Sequence, residues 1–460
     1  MSSTLQFCGG AGAVTGSNFL LEVDSPSPEL GTISTKLLID CGLQQGMGEE
    51  HNWEPFSYDP KEIAYLFVTH AHLDHIGRIP KLVKEGFRGQ IISTKATRAL
   101  IEPLLQDALE ILQHHAHHQN KPELYAADDV AAALALWRGV GYHEKISVDD
   151  IEVELLDAGH ILGSAMVQLT RGNKKILFTG DLGGGNSPLL PPTEDVVGAT
   201  YVVMEGTYGD RTRPEDSGRF AQLEDVIEDA MARGGTLVIP AFSTERTQDL
   251  LFDIRKLYLE KRVPLVPVYL DSPLAEKITS AYLAHPEYFS ADIRARVEGG
   301  EQIFSFEQLH YAATMDESRK LDLMAGSKII LAGSGMSSGG RVFGHERQYL
   351  PDPNSTLLVV GYQAAGTLGR QLIEGVKTLK TYKESIPVKA KIETLYGYSA
   401  HRDGEGLLEF ANKAAESGTK EIFVVHAEPS AAMFLAQRIR DYLSVKASAP
   451  SVGDRVVLEF

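Results

Sequence analysis

Four residues able to bind a metal fall within Thr69-His70-Ala71-His72-Leu73-Asp74-His75, directly after the apolar run Ala64-Tyr65-Leu66-Phe67-Val68. Imidazole and carboxylate groups at this density suit zinc-type chemistry. His70, His72 and Asp74 alternate, so an extended chain projects them to one side, while His75 must point elsewhere. Two groups of ligands predict two metals, and a buried strand ending in His-x-His-x-Asp-His points to a two-metal hydrolase. The bland alternative is a polar cluster in a surface loop. The apolar run from Ile76 to Val83 predicts a helix start with Asp74 near its N-terminus.

A binuclear site needs about three protein ligands per metal and a bridging carboxylate. His70 and His72 with His160 would hold one zinc, and Asp74 and His75 with His426 the other. Asp181 would bridge them, and a hydroxide shared by the ions would be the nucleophile. Asp40, at the end of its strand, is placed to orient a ligand histidine. Each distal residue has an ordinary reading when taken singly. His160 could be a turn residue, Asp181 a cap, and His426 a strand-end histidine bonded to backbone. The histidine-rich run His114-His115-Ala116-His117-His118 ends a helical pattern. Its i, i+3 and i, i+4 pairs could chelate, but no strand-end carboxylate accompanies it, so a solvated helix face with incidental metal uptake is expected.

The elements that must position these groups follow one grammar. A short apolar run ends in a chemically capable residue at Asp40, His70, Asp181, Glu205 and His426. Buried strands delivering groups at their C-terminal ends are typical of α/β sheets. Strands are predicted over 5–8, 18–23, 36–42, 151–156, 165–169, 175–181 and 201–205, and helices over 95–119 and 127–139. Residues 25–29, with two prolines, read as a hairpin loop. After Glu205 the pattern changes to βαβ order, with strands over 236–240, 267–271 and 328–332, which predicts a parallel sheet. Ligand candidates resume after it, so the second domain is expected to be inserted into the first. Residues 291–323 carry no clear pattern.

At 460 residues the chain exceeds one ordinary core. No apolar run is long enough to span a bilayer, and two cysteines cannot build a disulfide scaffold, so a reducing cytoplasm is expected. The net charge of −18 argues against tight nonspecific binding to nucleic acid. Two divalent cations would offset it locally.

The motifs together resemble a known family. His70-x-His72-x-Asp74-His75, then His160, then Asp181 follow the order of the metallo-β-lactamase superfamily. Met204-Glu205-Gly206-Thr207-Tyr208-Gly209, Gly397-Tyr398-Ser399-Ala400-His401 and Val424-Val425-His426-Ala427-Glu428 resemble three motifs of its β-CASP nucleases. Ala332-Gly333-Ser334-Gly335-Met336 and the stretch from Gly361 through Tyr362 and Gln363 to Gly369 are similar to its inserted domain. The resemblance covers nearly the whole chain and is nearest to compact bacterial ribonucleases related to the mRNA 3′-end cleavage endonuclease. Ala427 departs from the family's usual glycine. With no extra N-terminal nucleic-acid-binding domain or long C-terminal extension in view, the chain is expected to differ from the archaeal members and from a typical ribonuclease J.

The resemblance implies an α/β fold. A metallo-β-lactamase αββα sandwich, discontinuous over 1–206 and 388–460, would carry an inserted β-CASP domain with a parallel sheet over 207–387. It implies a zinc-dependent ribonuclease hydrolysing phosphodiester bonds of single-stranded RNA in a cleft between the two domains. His401 would be the general acid with Glu205 as its partner. The cofactors would be two zinc ions, or manganese in their place. Ser334, Gly335, Ser399 and Arg370 are phosphate-binding candidates, and Arg211 and Arg213 candidates by position only. A monomer or homodimer, cytoplasmic and without membrane contact, is expected. The alternatives are a hydrolase of a small ester or thioester on the same fold, a DNA-acting nuclease of the same family, and a non-catalytic RNA-binding scaffold, which would have lost metal ligands.

Overall fold

The computed structural model describes residues 3–27, 31–46, 48–212, 218–337, 339–361, 363, 366–380, 384–415 and 418–460. Part of the predicted 25–29 loop, Arg213, Ser338 and Tyr362 lie outside them. The chain divides into two compact units. The first is Met1–Gly185, Pro192–Thr212 and His401–Phe460; the second is Asn186–Pro191 and Arg213–Ala400.

Among the described residues the first unit carries two seven-stranded sheets. One runs in the order Arg455–Leu458, Ser3–Gly9, Asn18–Ser27, Gly31–Ile39, Ile63–Phe67, Gln90–Thr94, Trp137–Val140. The other runs Ala447–Ser448, Glu421–Val425, Tyr201–Glu205, Lys174–Phe178, Ala165–Arg171, Ile151–Asp157, Ile146–Val148. Alternate residues of each strand face the other sheet. Phe7, Phe19, Phe67, Phe178 and Phe423 therefore meet in one core between them, each almost fully buried. The second sheet also buries its outer face. Leu177, Val202, Met204 and Val424 pack against Leu407 and Phe410 of helix Gly404–Ala415 and Leu435 and Ile439 of helix Pro429–Leu443. These layers make the sandwich that the motifs predict.

Two local expectations are corrected. The helix predicted over 127–139 stops at Ala135, and Trp137–Val140 pairs in parallel with Gln90–Thr94. The alanine-rich run favours helix, but sheet pairing overrides that preference at the edge. Nor does the chain stay extended from His70 to Asp74. It turns into a short helix, Leu73–Ile76, directly after His72. That turn moves Asp74 away from His70 and His72 and toward the side of His75.

The second unit holds a six-stranded sheet in the order Leu309–Tyr311, Val268–Asp271, Lys328–Ala332, Thr236–Pro240, Thr356–Val360, Lys391–Leu395. Every pairing in it is parallel. Its four inner strands are buried along their whole length, as strands covered on both faces are, and Val238, Ile330, Leu357 and Val359 pack with Val342 and Leu372 of the flanking helices. The unpatterned 291–323 stretch contains helices Ala291–Glu298 and Met315–Leu323 around the edge strand. No helix among the described residues is long and apolar enough to cross a membrane.

Candidate metal centre

Four of the candidate ligands, His70, His160, Asp181 and His426, follow the ends of buried strands. His70 follows Ile63–Phe67, Asp181 follows Lys174–Phe178, and His426 directly follows Glu421–Val425. His160 sits in the turn after Ile151–Asp157. Ser164 Oγ accepts its backbone N–H at 2.9 Å, while Thr94 and Thr97 hydroxyls hold the Gly163 carbonyl. Glycine is required where the loops touch. A Cβ at Gly42 would lie 1.6 Å from the Asp74 carbonyl oxygen, and one at Gly180 would lie 2.6 Å from the Thr69 Cβ. His426 itself adopts a left-handed backbone, φ 48°, unusual for a residue with a Cβ. Its N–H donates to the Gly10 carbonyl, and the Thr207 hydroxyl to its carbonyl. The left-handed conformation thus falls on His426 and not on Ala427, which is fully buried beside it.

The ligand atoms converge in two groups. His70 Nε2 lies 3.1 Å from His72 Nδ1, which lies 3.3 Å from His160 Nε2. His70 Nε2 and His160 Nε2 are each 3.5 Å from Asp181 Oδ2. In the second group His426 Nε2 is 3.6 Å from Asp74 Oδ2 and 3.6 Å from Asp181 Oδ1, and His75 Nε2 is 3.3 Å from the same Asp181 oxygen. Zinc–nitrogen bonds of about 2.0–2.1 Å at tetrahedral angles set ligand atoms about 3.3 Å apart. The separations observed in both groups fall around that edge length. Asp181 turns one oxygen to each group, the geometry a bridging carboxylate needs.

Buried polar atoms normally find hydrogen-bond partners. His75 Nε2 and Asp181 Oδ1 are buried and close, yet make no hydrogen bond. Lone pairs aimed at a common point, not at each other, are what a cation requires, so the donor set fits metal ions. Burial, with His75 close by, holds the pKa of His70 well below the ordinary imidazole range. Burial likewise takes His72 down to about 4. Both are neutral and able to donate lone pairs. Burial also opposes charge on His75, but Asp181 and Asp40 on its two sides outweigh it and raise its pKa well above the usual value. The same pair of carboxylates favours any other cation at that nitrogen. Burial opposes ionisation of Asp181 too, but His426, His75 and His70 hold its pKa well below the carboxylate range.

Supporting groups fix the rings. Asp40 Oδ2 lies 2.7 Å from His75 Nδ1 and accepts the Thr69 hydroxyl at 2.8 Å, while Asp40 Oδ1 accepts the Thr69 N–H at 2.8 Å. Thr69 Oγ1 in turn is 3.1 Å from His70 Nδ1. Asp40 therefore steadies one histidine of each group. Ser17 Oγ is 2.8 Å from His426 Nδ1, and the Ser17 N–H donates to the Asp74 carbonyl. Beside the second oxygen of Asp181, His401 Nδ1 stands 3.9 Å away. It lies 3.2 Å from both oxygens of Glu205, which is buried and accepts the Leu182 N–H at 2.6 Å.

The metallo-beta-lactamase superfamily model matches residues 34–264, the Beta-Casp domain model residues 247–372, and a model described as Zn-dependent metallo-hydrolase RNA specificity domain residues 385–450. Ribonuclease TTHA0252 of Thermus thermophilus is 34% identical over 421 residues, 91% of this chain and 92% of that protein. The chain belongs to the metallo-β-lactamase superfamily, in its β-CASP branch. An RNase J-like protein of Methanocaldococcus jannaschii is 31% identical, covering 92% of this chain and 94% of its own length. A protein of unknown function from Enterococcus faecalis shares the fold over the full length of both chains, with a TM-score of 0.56 at 12% identity.

The remaining candidates of this β-CASP chain belong to its second unit. Ser334 and Gly335 lie in the turn between Lys328–Ala332 and helix Gly340–Tyr349. Ser399 is buried and donates its N–H to the Tyr396 carbonyl. Arg370 Nε pairs with Glu374 Oε1 at 2.7 Å, one helical turn on. In the first unit Arg211 pairs with neighbouring Asp210 at 3.3 Å. Sequence reading passed over Thr69, Ser17 and Leu182. The one signal available was adjacency, since Thr69 and Leu182 directly flank His70 and Asp181.

Proposed function

We propose that this chain is a zinc-dependent ribonuclease that hydrolyses phosphodiester bonds of single-stranded RNA. Two zinc ions would be held by His70, His72, His160 and Asp181 on one side and by Asp74, His75, His426 and Asp181 on the other. Bound there, the ions would supply a water that ionises near neutral pH and would neutralise charge on the attacked phosphate. The observation that carries the reading is the Glu205–His401 pair standing beside this ligand set. A phosphodiester differs from a small ester in the charge of its transition state and in needing a proton for the leaving oxygen. His401 would supply that proton. Glu205 Oε1, held by the Leu182 N–H, keeps the Nδ1 side of the ring toward itself, which turns the Nε2 side outward to substrate. Asp40, Thr69 and Ser17 hold the ligand rings. Ser334, Gly335, Ser399 and Arg370 remain proposed phosphate contacts, and cytoplasmic action as a monomer or homodimer belongs to the same reading.

RNA as substrate is supported by the RNA-specificity model over 385–450 and by the ribonuclease names of the relatives. The test is incubation with end-labelled single-stranded RNA and DNA of one sequence, with chelator and after adding back zinc or manganese. Chelator-sensitive cleavage of RNA is the expected result. Cleavage of DNA alone would assign the chain to the DNA-acting nucleases. No cleavage of either, with hydrolysis of a thioester or lactam, would replace the reading with a small-ester hydrolase.

A further inference from the structure

The histidine-rich run near the end of helix Lys95–Gln119 takes no part in the centre described above. On a helix, residues four apart share a face, and residues two apart lie on opposite faces. Ala116 is 2% exposed and points inward, so His114 and His118 stand on the opposite, solvent side, where both are exposed. Their rings meet edge to face with centroids 4.3 Å apart. The two Nε2 atoms are 3.1 Å apart. Without an ion, one ring satisfies the other by donating its N–H. The same separation is close to the tetrahedral edge of about 3.3 Å that zinc–nitrogen bonds set, so a cation can take the place of that proton without moving the backbone.

Two further features favour a cation here. The helix ends within two residues of His118, where Asn120 adopts a left-handed cap. The unpaired carbonyls of a helix C-terminus favour positive charge. The end is also anchored. Trp53 Nε1 donates to the Pro122 carbonyl at 2.8 Å, the Lys121 ammonium lies 4.6 Å from the centre of the Trp53 ring, and His115 Nδ1 is 3.7 Å from Glu49. A held helix end presents the two nitrogens preformed.

We infer that His114 and His118 form a surface two-histidine site for a divalent transition metal, separate from the buried centre. Two imidazoles with water completing the shell select zinc, nickel and above all copper over manganese, magnesium or calcium, which prefer oxygen. Exposure makes the ion exchangeable. The inference does not depend on the ribonuclease reading, because it concerns a difference in metal count between wild type and variant.

The test is equilibrium dialysis of the full chain against buffered free zinc, followed by metal analysis, with circular dichroism to verify the fold. Wild type should hold one zinc per chain more than the His114→Ala/His118→Ala double variant. His117→Ala, whose ring lies outside the pair, should keep the extra ion. With manganese, wild type and double variant should hold equal amounts. Equal zinc in wild type and double variant would overturn the site, and loss of the extra zinc in His117→Ala would overturn the pair as its basis.

Discussion

His401 Nδ1 lies 3.2 Å from each oxygen of Glu205, and the two residues are separated by 196 positions in the chain. With Asp181, which faces both ligand groups, the pair forms a third cluster of groups close enough together to hold a cation. His401→Ala is expected to retain the full metal content and to lose roughly 10²–10⁴-fold in kcat, the usual contribution of a positioned general acid. Metal analysis beside the RNA cleavage assay checks it. A fall in metal content would make His401 a ligand instead.

Asp74 touches only the second ligand group, through His426. Asp74→Ala is expected to lose or weaken one ion and keep the other. Asp181 faces both groups, so Asp181→Ala is expected to lower occupancy at both. Metal titration of the two variants separates these outcomes, and full occupancy with normal activity in Asp74→Ala would remove it from the ligand set.

Asp40 makes no contact with an ion site but holds His75 directly and His70 through Thr69. Removing such an outer partner typically costs about 10–100-fold in metal affinity. Asp40→Asn keeps the shape and removes the charge. It should weaken zinc binding by that factor, measured by competition with a chromophoric chelator, while the fold, followed by circular dichroism, stays intact.

A pH prediction comes from the second unit. Burial opposes charging of His345, but Asp271 and Asp322, each 2.7 Å from one ring nitrogen, raise its pKa to about 9 from an ordinary 6.5. A raised histidine stabilises the fold fully below about pH 6.5, and that contribution, about 3 kcal/mol, is lost as the pH rises through 9. Burial pushes neighbouring Glu346 to about 8 from 4.5. The folded unit keeps this proton where the unfolded chain releases it, so stability again falls as the pH rises, here between about 4.5 and 8. Hydrogen exchange of the second unit's strands, corrected for intrinsic rates, should show protection falling from pH 5 to 9. Glu346→Gln should flatten the lower part of that slope and His345→Gln the upper part. A flat wild-type profile would refute the assignment.

The fold was legible where a physical pattern repeats. Buried strands ending at Asp40, His70, Asp181, Glu205 and His426 are apolar on both faces and announce themselves without tertiary information. The residues singled out there are those whose atoms meet in the structure, and their roles as ligands stand with the proposal that metal analysis tests. The rest depended on partners far away in the chain. Ser17 is one hydroxyl after a glycine turn, and only its contact with a histidine 409 positions later gives it meaning. Asp74 joins His75 and His426, as the ligand count predicts, but the helical turn at Leu73 that takes it out of line with His70 and His72 is not evident from their alternation. Trp137–Val140 follows a helix-favouring run and becomes a strand because a neighbouring strand offers its edge.

The late arrival of His426 sets a timetable for the molecule. The strand that carries it, Glu421–Val425, inserts beside Tyr201–Glu205, and the last strand, Arg455–Leu458, closes on Ser3–Gly9. In chain order the first ligand group is complete at Asp181, whereas the second waits for His426. Under the proposed function, a chain that has not yet extended past His426 cannot hold both ions, so the order of the sequence itself delays the completed centre.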